Sequence, residues 1–158
     1  MEVRTEKDVW NKAIQLLSRR EYSRHELEKK LYSFAKDVDS TNMLSRLAEA
    51  GYLSDERFAE SFIRMKIGQG HGLNRIRFEL SQKGIDAELI TQTLESLQVD
   101  WFELAAELYQ RKYRSQPRYE DFKEKNKRMR YMSQKGFSID EINYALEQTT
   151  NIDDSCHK

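Results

Sequence analysis

The chain contains 158 residues, of which 38% are hydrophobic and 34% are charged, and its formal net charge at pH 7 is zero. A single cysteine, Cys156, excludes a disulfide bond within the chain. No run of apolar residues approaches the roughly 18 that a membrane span requires, and the first residues lack the apolar core of a secretory signal. These features predict a cytoplasmic protein without a membrane partner.

Helix is the predicted state of almost every segment. The chain has only one Pro and six Gly, and it almost lacks the alternating β-branched runs that are typical of strands. Apolar residues recur instead at helical spacing. Nine helices are predicted, and in chain order they cover residues 7–19, a segment opening at Ser23, 42–50, a segment opening at Ser54, 74–83, 87–97, 101–113, 119–134 and a segment from Ser138 to about Gln148.

Local signals mark the helix boundaries. Ser23 with Glu26, and Ser138 with Glu141, have the spacing of a capping box, in which a hydroxyl and a carboxylate satisfy otherwise unpaired N–H groups. Ser54 is predicted to cap the fourth helix. Three helices are predicted to end at a glycine, since glycine tolerates the left-handed backbone of a helix stop; these are Gly51, Gly84 and Gly136.

An internal repeat organises the chain. Residues 74–94 align with residues 126–146 at an offset of 52, and 81–85 (SQKGI) recurs as 133–137 (SQKGF). A fainter copy precedes them, since alanines recur at a spacing of 46. Repeats of this kind stack into extended bodies. We therefore predict an all-α fold of three tandem three-helix repeats forming an elongated, curved body, with boundaries at 1–53, 54–99 and 100–148 and a flexible tail at 149–158.

Charge is strongly segregated along the chain. Residues 86–107 carry six acidic side chains and no Lys or Arg, whereas 64–83 carry five basic and one acidic, and 123–135 six basic and one acidic. Such segregation creates local fields that the net charge hides. We predict a basic binding surface on helices 5 and 8, although a merely solvated charged face is the alternative. The candidate partner-binding or DNA-binding residues are Arg64, Lys66, Arg75, Arg77, Lys83, Lys123, Lys127, Arg128, Arg130 and Lys135.

The eighth helix carries the densest part of this pattern. Its spacing predicts an inward stripe of Phe122, Met129 and Met132, with Arg128 beside the basic face. Four tyrosines near basic residues are either candidates for stacking on bases or ordinary packing residues; they are Tyr22, Tyr113, Tyr119 and Tyr131.

No catalytic constellation is found. Three histidines are scattered through the chain (His25, His71 and His157), and there is no His-Glu-x-x-His, cysteine pair or phosphate-binding loop. The glycine-rich segment 68–72 is predicted to be a turn between helices, the alternative being that it lets the N-terminus of helix 5 approach a phosphate. We expect no catalytic residue, no metal, no cofactor and no small-molecule substrate, and hence no enzyme.

Several segments resemble the RecX family. Residues 70–85, GHGLNRIRFELSQKGI, are similar to the family hallmark, and 51–59, GYLSDERFA, to its second signature. Residues 22–31 and 130–137 are similar to its first and third repeats. The resemblance covers about residues 13–146. It implies three tandem three-helix repeats in a cytoplasmic protein of homologous recombination and DNA repair.

The resemblance also implies a partner, the filament of the RecA recombinase on DNA. Binding in the helical groove of the filament would damp its ATPase, strand-exchange and co-protease activities. On this hypothesis helices 5 and 8 face DNA phosphates or acidic filament loops, and residues 86–107 face basic loops of the recombinase. We expect a monomer, and direct contact with single-stranded DNA stays open. The alternatives are a general single-stranded nucleic-acid-binding protein and a helical adaptor that contacts no nucleic acid.

Overall fold

The computed structural model describes residues 3–156, with side chains through Thr149. Within this range the chain is entirely helical apart from its turns, and no strand is present, which confirms the predicted all-α class. The helices are α1 (Glu6–Arg19), α2 (Arg24–Phe34), α3 (Thr41–Glu49), α4 (Asp55–Gly68), α5 (Leu73–Gln82), α6 (Ala87–Leu97), α7 (Trp101–Lys112), α8 (Phe122–Gln134) and α9 (Ile139–Cys156).

Side-chain caps fix the start of several helices. The Ser23 hydroxyl accepts a hydrogen bond from the Glu26 N–H, and the Glu26 carboxylate accepts one from the Ser23 N–H. The same reciprocal pair joins Ser138 and Glu141. The Ser54 hydroxyl accepts from the N–H of Arg57 at the start of α4. These bonds satisfy N–H groups that a helix leaves unpaired, and they confirm both predicted capping boxes and the predicted cap of α4.

Two helix boundaries differ from prediction. Helix α8 begins at Phe122 rather than Tyr119, because the Asp121 carboxylate caps it by accepting a 2.8 Å hydrogen bond from the Glu124 N–H. Helix α9 continues to Cys156 rather than ending near Gln148. The predicted flexibility of 149–158 stays a prediction, and residues 157 and 158 lie outside the described range.

The chain forms two compact units. The first contains Met1–Phe62 and Leu80–Ser96, and the second contains Ile63–Glu79 and Leu97–Lys158; α4 and α5 therefore contribute residues to both. The core of the first unit is aliphatic and includes Val9, Ala13, Leu27, Leu31, Leu44 and Leu47. In the second unit α7 packs chiefly on α9, around a core that includes Ala105, Tyr109, Met132, Ile142 and Ala145.

Burial follows the repeat that the sequence predicts. At the offset of 52 residues, Leu80 corresponds to Met132, and both side chains are fully buried at 0% exposure. Ile90 corresponds likewise to Ile142, at 0% and 2% exposure. Because equal spacing yields equal burial, the two segments use the same positions for their cores.

Candidate functional site

The predicted basic residues differ widely in exposure. Six are exposed, namely Arg64, Arg75, Arg77, Lys123, Lys127 and Arg130. Three are half-buried, namely Lys66, Lys83 and Lys135. All of these except Lys83 lie in the second unit. The tenth residue, Arg128, does not lie on the surface.

Arg128 is a buried structural residue, and its predicted place on a binding surface is wrong. Its side chain is 2% exposed, and the guanidinium donates to the Tyr109 hydroxyl at 3.1 Å and to the carbonyl oxygens of Pro117 and Gln116 at 3.0 and 2.8 Å. Burial opposes its positive charge, but the bonds to Tyr109 and Glu124 outweigh burial and hold the pKa of Arg128 above its usual range. The guanidinium therefore holds the connection between α7 and α8 in place.

One aromatic prediction needs correction, and for a second residue the structure decides between the two alternatives. Phe122, predicted to face inward, is 73% exposed because α8 begins at this residue. Tyr22, a candidate for base stacking, is 6% exposed and lies beneath the Arg20 guanidinium, 3.6 Å from its ring centre. Phe122 is therefore not part of an inward stripe, and Tyr22 is a packing residue.

Lys83 takes part in a contact inside the first unit. Its ammonium group pairs with the Glu26 carboxylate at 3.0 Å, and its carbonyl oxygen accepts a 2.8 Å hydrogen bond from the Ser23 hydroxyl. Burial alone would raise the pKa of Glu26, but hydrogen bonds from Lys83, Arg20 and the Ser23 N–H hold it below its usual value. The N-terminus of α2 is thereby fixed to the turn after α5.

The exposed face of α8 is nearly balanced in charge. Lys123, Lys127 and Arg130 line a surface concavity of about 560 Å³. Three carboxylates line the same concavity, those of Glu120, Asp121 and Glu124. Arg128 also lines this concavity, and its Nε pairs with Glu124 at 3.2 Å. The remaining carboxylates offset part of the charge of the exposed cations, so the face attracts an anion less than its sequence predicts.

The N-terminus of α5 lies against the turn that follows α8. The Gly72 N–H donates to the Lys135 carbonyl oxygen at 2.7 Å, and the Asn74 N–H donates to that of Gly136 at 3.0 Å. A Cβ on Gly136 would lie 2.5 Å from the Cβ of Arg75, so the two backbones approach closely only because this residue is glycine. Two N–H groups at the helix start are thus already bonded, which argues against that helix end as a phosphate site.

This contact brings together a group of basic side chains, here called the basic cluster: Lys66, Arg75, Arg111, Lys112 and Lys135. They come from α4, α5, the last turn of α7, and the residue after α8. The turn before α5 closes the group, since a Cβ on Gly70 would lie 3.4 Å from Nη2 of Arg111. Lys112 lies over the Tyr131 ring, with its Nζ 4.9 Å from the ring centre.

The mutual repulsion of these cations is visible in the pKa of Lys135. Burial, and then the charges of Arg75, Arg111 and Lys112, lower the pKa of Lys135 below its usual value. Among residues whose side chains the structure describes, no carboxylate lies within ion-pair distance of Arg111, Lys112 or Lys135. This part of the cluster therefore forms no ion pair with a described carboxylate, although Glu107 lies one helical turn before Arg111 on α7.

His71 lies at the basic cluster and is buried, with 7% of its surface exposed. Burial lowers its pKa, the charges of Arg75, Lys135 and Lys66 lower it further, and only Glu79 opposes them. Within the described part of the chain, its Nδ1 atom is buried without a hydrogen-bond partner. The cluster thus includes an imidazole with unused hydrogen-bonding capacity.

Glu79 is the carboxylate of this region. It pairs with Arg75 at 3.1 Å and with Lys66 at 3.6 Å. Burial raises the pKa of Glu79, but the bond from Arg75 and the charge of Lys66 outweigh burial and lower it overall. Its negative charge thus offsets part of the positive charge of Lys66 and Arg75.

Sequence reasoning missed Arg111 and Lys112. They follow directly on the acidic stretch 86–107, which drew attention to the negative charge of that segment. The available signal was their place in the last turn of α7, where basic residues interact favourably with the helix dipole.

Other kinds of site find no support in the described residues. No group of three or more His, Cys, Asp or Glu side chains within that part of the chain is arranged to hold a metal ion. None of its helices is both long and apolar enough to cross a membrane.

Comparison with known proteins identifies relatives over most of the chain. Models of the first, second and third three-helix domains of RecX match residues 10–33, 54–94 and 98–146. The chain is 38% identical over 135 residues to a regulatory protein RecX of Chromohalobacter salexigens, covering 85% of this chain and 88% of that protein. It is 42% identical over 135 residues to the regulatory protein RecX of Pseudomonas putida strain GB-1, covering 85% and 86%.

A solved structure has the same fold. The crystal structure of RecX from Lactobacillus salivarius matches with a TM-score of 0.77 and 25% identity, covering 91% of this chain and 96% of that one. The three matched domains confirm the predicted succession of three-helix repeats. By sequence over most of its length and by fold, the chain belongs to the RecX family of regulatory proteins.

Proposed function

We propose that this protein binds the filament of the RecA recombinase in its helical groove and modulates, mainly by inhibition, its ATPase, strand-exchange and co-protease activities. The observation that carries the proposal is the match of all three RecX domains in their order along the chain. The relatives bear the name of regulatory proteins, and a regulator acts by binding a partner rather than by a chemical step. No residue is assigned a catalytic role.

Exposed residues of both charges support binding to a nucleoprotein. The basic cluster is suited to phosphates or acidic side chains, because its Arg111, Lys112 and Lys135 form no ion pair with a carboxylate among the described side chains. The six acidic residues of 86–107 are all exposed and are suited to basic loops of a recombinase. In this arrangement the protein competes with incoming duplex DNA for the groove and biases the filament away from its ATP-turnover state.

Further features of the proposal follow from the repeats. We propose boundaries at 1–53, 54–99 and 100–148, a monomer as the binding species, and the cytoplasm, where the recombinase acts, as its location. Partner contacts are assigned to Arg75 and Lys135 together with Arg111 and Lys112. Lys66, Arg64 and Arg77 stay candidates for further contacts. Lys123, Lys127 and Arg130 are proposed to contribute little, because they lie on the face of α8 that carries its own carboxylates.

The test is the single-stranded-DNA-dependent ATPase of the cognate recombinase, measured while the protein is titrated in. The site variant is Arg111→Gln/Lys112→Gln/Lys135→Gln. The control, Lys123→Gln/Lys127→Gln/Arg130→Gln, removes the same charge from the same unit but from a face that carries its own carboxylates. Circular dichroism checks that each variant folds.

We expect inhibition at amounts well below one protein per protomer, a loss of about tenfold or more in potency for the site variant, and little change for the control. Absence of inhibition by the wild type, together with binding to naked DNA, would overturn the proposal and favour a general single-stranded nucleic-acid-binding protein. Equal loss in both variants would show that total charge, not the basic cluster, determines binding.

A further inference from the structure

A buried histidine lies beside the contact between the start of α5 and the turn after α8, here called the α5–α8 joint. Backbone hydrogen bonds from the N–H groups of Gly72 and Asn74 to that turn hold the joint closed. His71 directly precedes Gly72, and its own N–H donates to the carbonyl oxygen of Lys66 in α4 at 3.0 Å. The backbone of His71 is therefore fixed between α4 and the joint.

The imidazole of His71 is packed as a neutral group. The residue is 7% exposed, and its Nδ1 atom has no hydrogen-bond partner within the described part of the chain. The backbone beside it is already in close contact, since a Cβ on Gly72 would lie 2.5 Å from the backbone carbon of Gly136. A protonated imidazole donates from both nitrogens, and a buried charge without a partner is costly. The closed joint therefore disfavours protonation.

Charged groups face His71 from each element that packs around it. They are Lys66 of α4, Arg75 and Glu79 of α5, and Lys135 after α8. Burial, and then the three cations, lower the pKa of His71. The carboxylate of Glu79 is already paired, with Arg75 at 3.1 Å and with Lys66 at 3.6 Å. A proton on His71 thus adds a positive charge to a group of cations whose nearby carboxylate is already engaged.

We propose that protonation of His71 opens the α5–α8 joint, which makes the joint a pH-sensitive switch built into the second unit. In the open state the imidazole is in contact with water, and the bonds from Gly72 and Asn74 to the turn after α8 are broken. Arg75 and Lys135 lie on opposite sides of the joint, so opening separates two cations of the basic cluster. The inference concerns the protein alone and does not depend on the proposed function.

The direction of the pH dependence follows from linkage. The pKa of His71 is lowered in the closed joint and takes its ordinary value of 6.5 when the imidazole is exposed. The open state therefore binds the proton first, and the ratio of open to closed joints rises as the pH falls below 6.5 toward the closed-state pKa. Because a single proton is taken up, the ratio changes by no more than about tenfold per pH unit.

The experiment measures amide hydrogen exchange of the full chain by NMR from about pH 7.5 to about pH 5.5, the range in which histidine titrates. Exchange is expressed as protection factors, which correct for the intrinsic effect of pH on the exchange rate. The amides of Gly72 and Asn74 report on the joint, and that of Ala145, in the core of α9, reports on unfolding of the whole second unit. Imidazole NMR gives the pKa of His71, which His71→Gln removes. The matched control is His25→Gln, at an exposed histidine of the first unit.

We expect the protection factors of Gly72 and Asn74 to fall together as the pH is lowered, by a few-fold up to about tenfold. The protection factor of Ala145 should stay constant. His25→Gln should show the same fall at the joint, and His71→Gln should show none. In the wild type the fall should level off at the pKa of His71 that imidazole NMR measures, so the test stands even if His71→Gln does not fold.

Three outcomes would overturn the inference. Constant or rising protection at Gly72 and Asn74 would show that a protonated His71 stays inside the closed joint, with Glu79 as its partner. An equal fall at Ala145 would show that acid unfolds the unit as a whole. The same fall in His71→Gln as in the wild type would show that another group is titrating.

Discussion

The backbone N–H of Gly72 donates a 2.7 Å hydrogen bond to the carbonyl oxygen of Lys135, which fixes the start of α5 to the turn after α8. The first unit contains a related contact, in which the Ser23 hydroxyl donates to the carbonyl oxygen of Lys83 at 2.8 Å. Lys83 and Lys135 are equivalent in the repeat, at an offset of 52 residues. The repeated Lys-Gly turn is therefore a docking point for the start of another helix, and this contact shapes the basic cluster.

Substitution of Gly72 by alanine should strongly destabilise the protein. A Cβ at this position would lie 2.5 Å from the backbone carbon of Gly136 and 2.7 Å from the N atom of Phe137. Because backbone atoms cannot rotate away as a side chain does, we expect Gly72→Ala to lower the free energy of unfolding by about 1–3 kcal/mol. Urea denaturation followed by circular dichroism measures the change.

Gly68→Ala is the matched control for this prediction. Gly68 is the last residue of α4, and a Cβ there would meet nothing within 4 Å. Since alanine is favoured over glycine in a helix by roughly 0.5–1 kcal/mol, this variant should be as stable as the wild type or slightly more so. Equal stability of the two variants would contradict the close contact at Gly72.

Arg128→Ala should destabilise the second unit, although it replaces a charged residue on a helix that is rich in Lys and Arg. It removes the donors to the carbonyl oxygens of Gln116 and Pro117 and to the Tyr109 hydroxyl. The Tyr109 hydroxyl is buried, and leaving it unsatisfied costs about 1–3 kcal/mol. Since Gln116 is exposed, water can replace part of the lost bonds to the carbonyl oxygens, so we expect a loss of about 1–3 kcal/mol in the free energy of unfolding. Chemical denaturation gives the value.

Arg130→Ala provides the comparison on the same helix. Arg130 is exposed, and surface substitutions usually change stability by less than about 0.5 kcal/mol. A loss at Arg130 as large as that at Arg128 would refute the structural role assigned to Arg128.

Much of the fold could be predicted because its signals are local. The Ser23–Glu26 and Ser138–Glu141 capping boxes depend on residues three positions apart, so their spacing in the sequence specifies their bonds. The repeat and its buried positions were likewise visible as recurring apolar residues. Where the helix start depends on a less regular signal, as at Asp121 before α8, the predicted boundary was wrong.

The site was harder to predict because it is formed by residues distant in sequence. Arg128 occupies the repeat position of Ile76, and the two side chains are 2% and 0% exposed. The alignment at offset 52 already placed Arg128 at this core position, but the surrounding basic run suggested a surface. The carbonyl oxygens of the α7–α8 connection that accept its hydrogen bonds have no signature in the side-chain sequence.

Low pH should destabilise the first unit, in part by protonating the Glu26 carboxyl. Hydrogen bonds from Lys83, Arg20 and the Ser23 N–H outweigh burial and lower the pKa of this carboxyl below its ordinary 4.5. A lowered pKa in the folded state stabilises the protein above the ordinary value, and this contribution is lost as the pH falls below 4.5 through the folded-state pKa. Across that range the stability of Glu26→Gln should therefore change less with pH than that of the wild type does.

At neutral pH Glu26→Gln should lower the free energy of unfolding by about 1 kcal/mol, since it removes the pair with Lys83. The loss is no larger because solvent screens this half-buried pair. The measurement is the denaturation midpoint as a function of pH. Glu28→Gln, at an exposed position on α2, is the control and should be close to wild type at neutral pH. A Glu26→Gln profile parallel to that of the wild type throughout would contradict the assignment.

Removing one cation of the basic cluster should raise the pKa of His71 in the unbound protein. After burial, the charges of Arg75, Lys135 and Lys66 lower that pKa from its ordinary 6.5, and Glu79 opposes them. Lys135→Gln should therefore raise the pKa of His71, and Glu79→Gln should lower it.

Because the folded-state pKa of His71 is lowered, the unfolded chain takes up the proton first, and the free energy of unfolding decreases as the pH falls below 6.5 toward the folded-state pKa. Lys135→Gln should make that decrease smaller. Imidazole NMR titration measures the pKa of His71. The control is Lys123→Gln, on the exposed face of α8. If Lys123→Gln shifted the pKa of His71 as much as Lys135→Gln does, the general charge of the unit, rather than the cluster, would determine the protonation of His71.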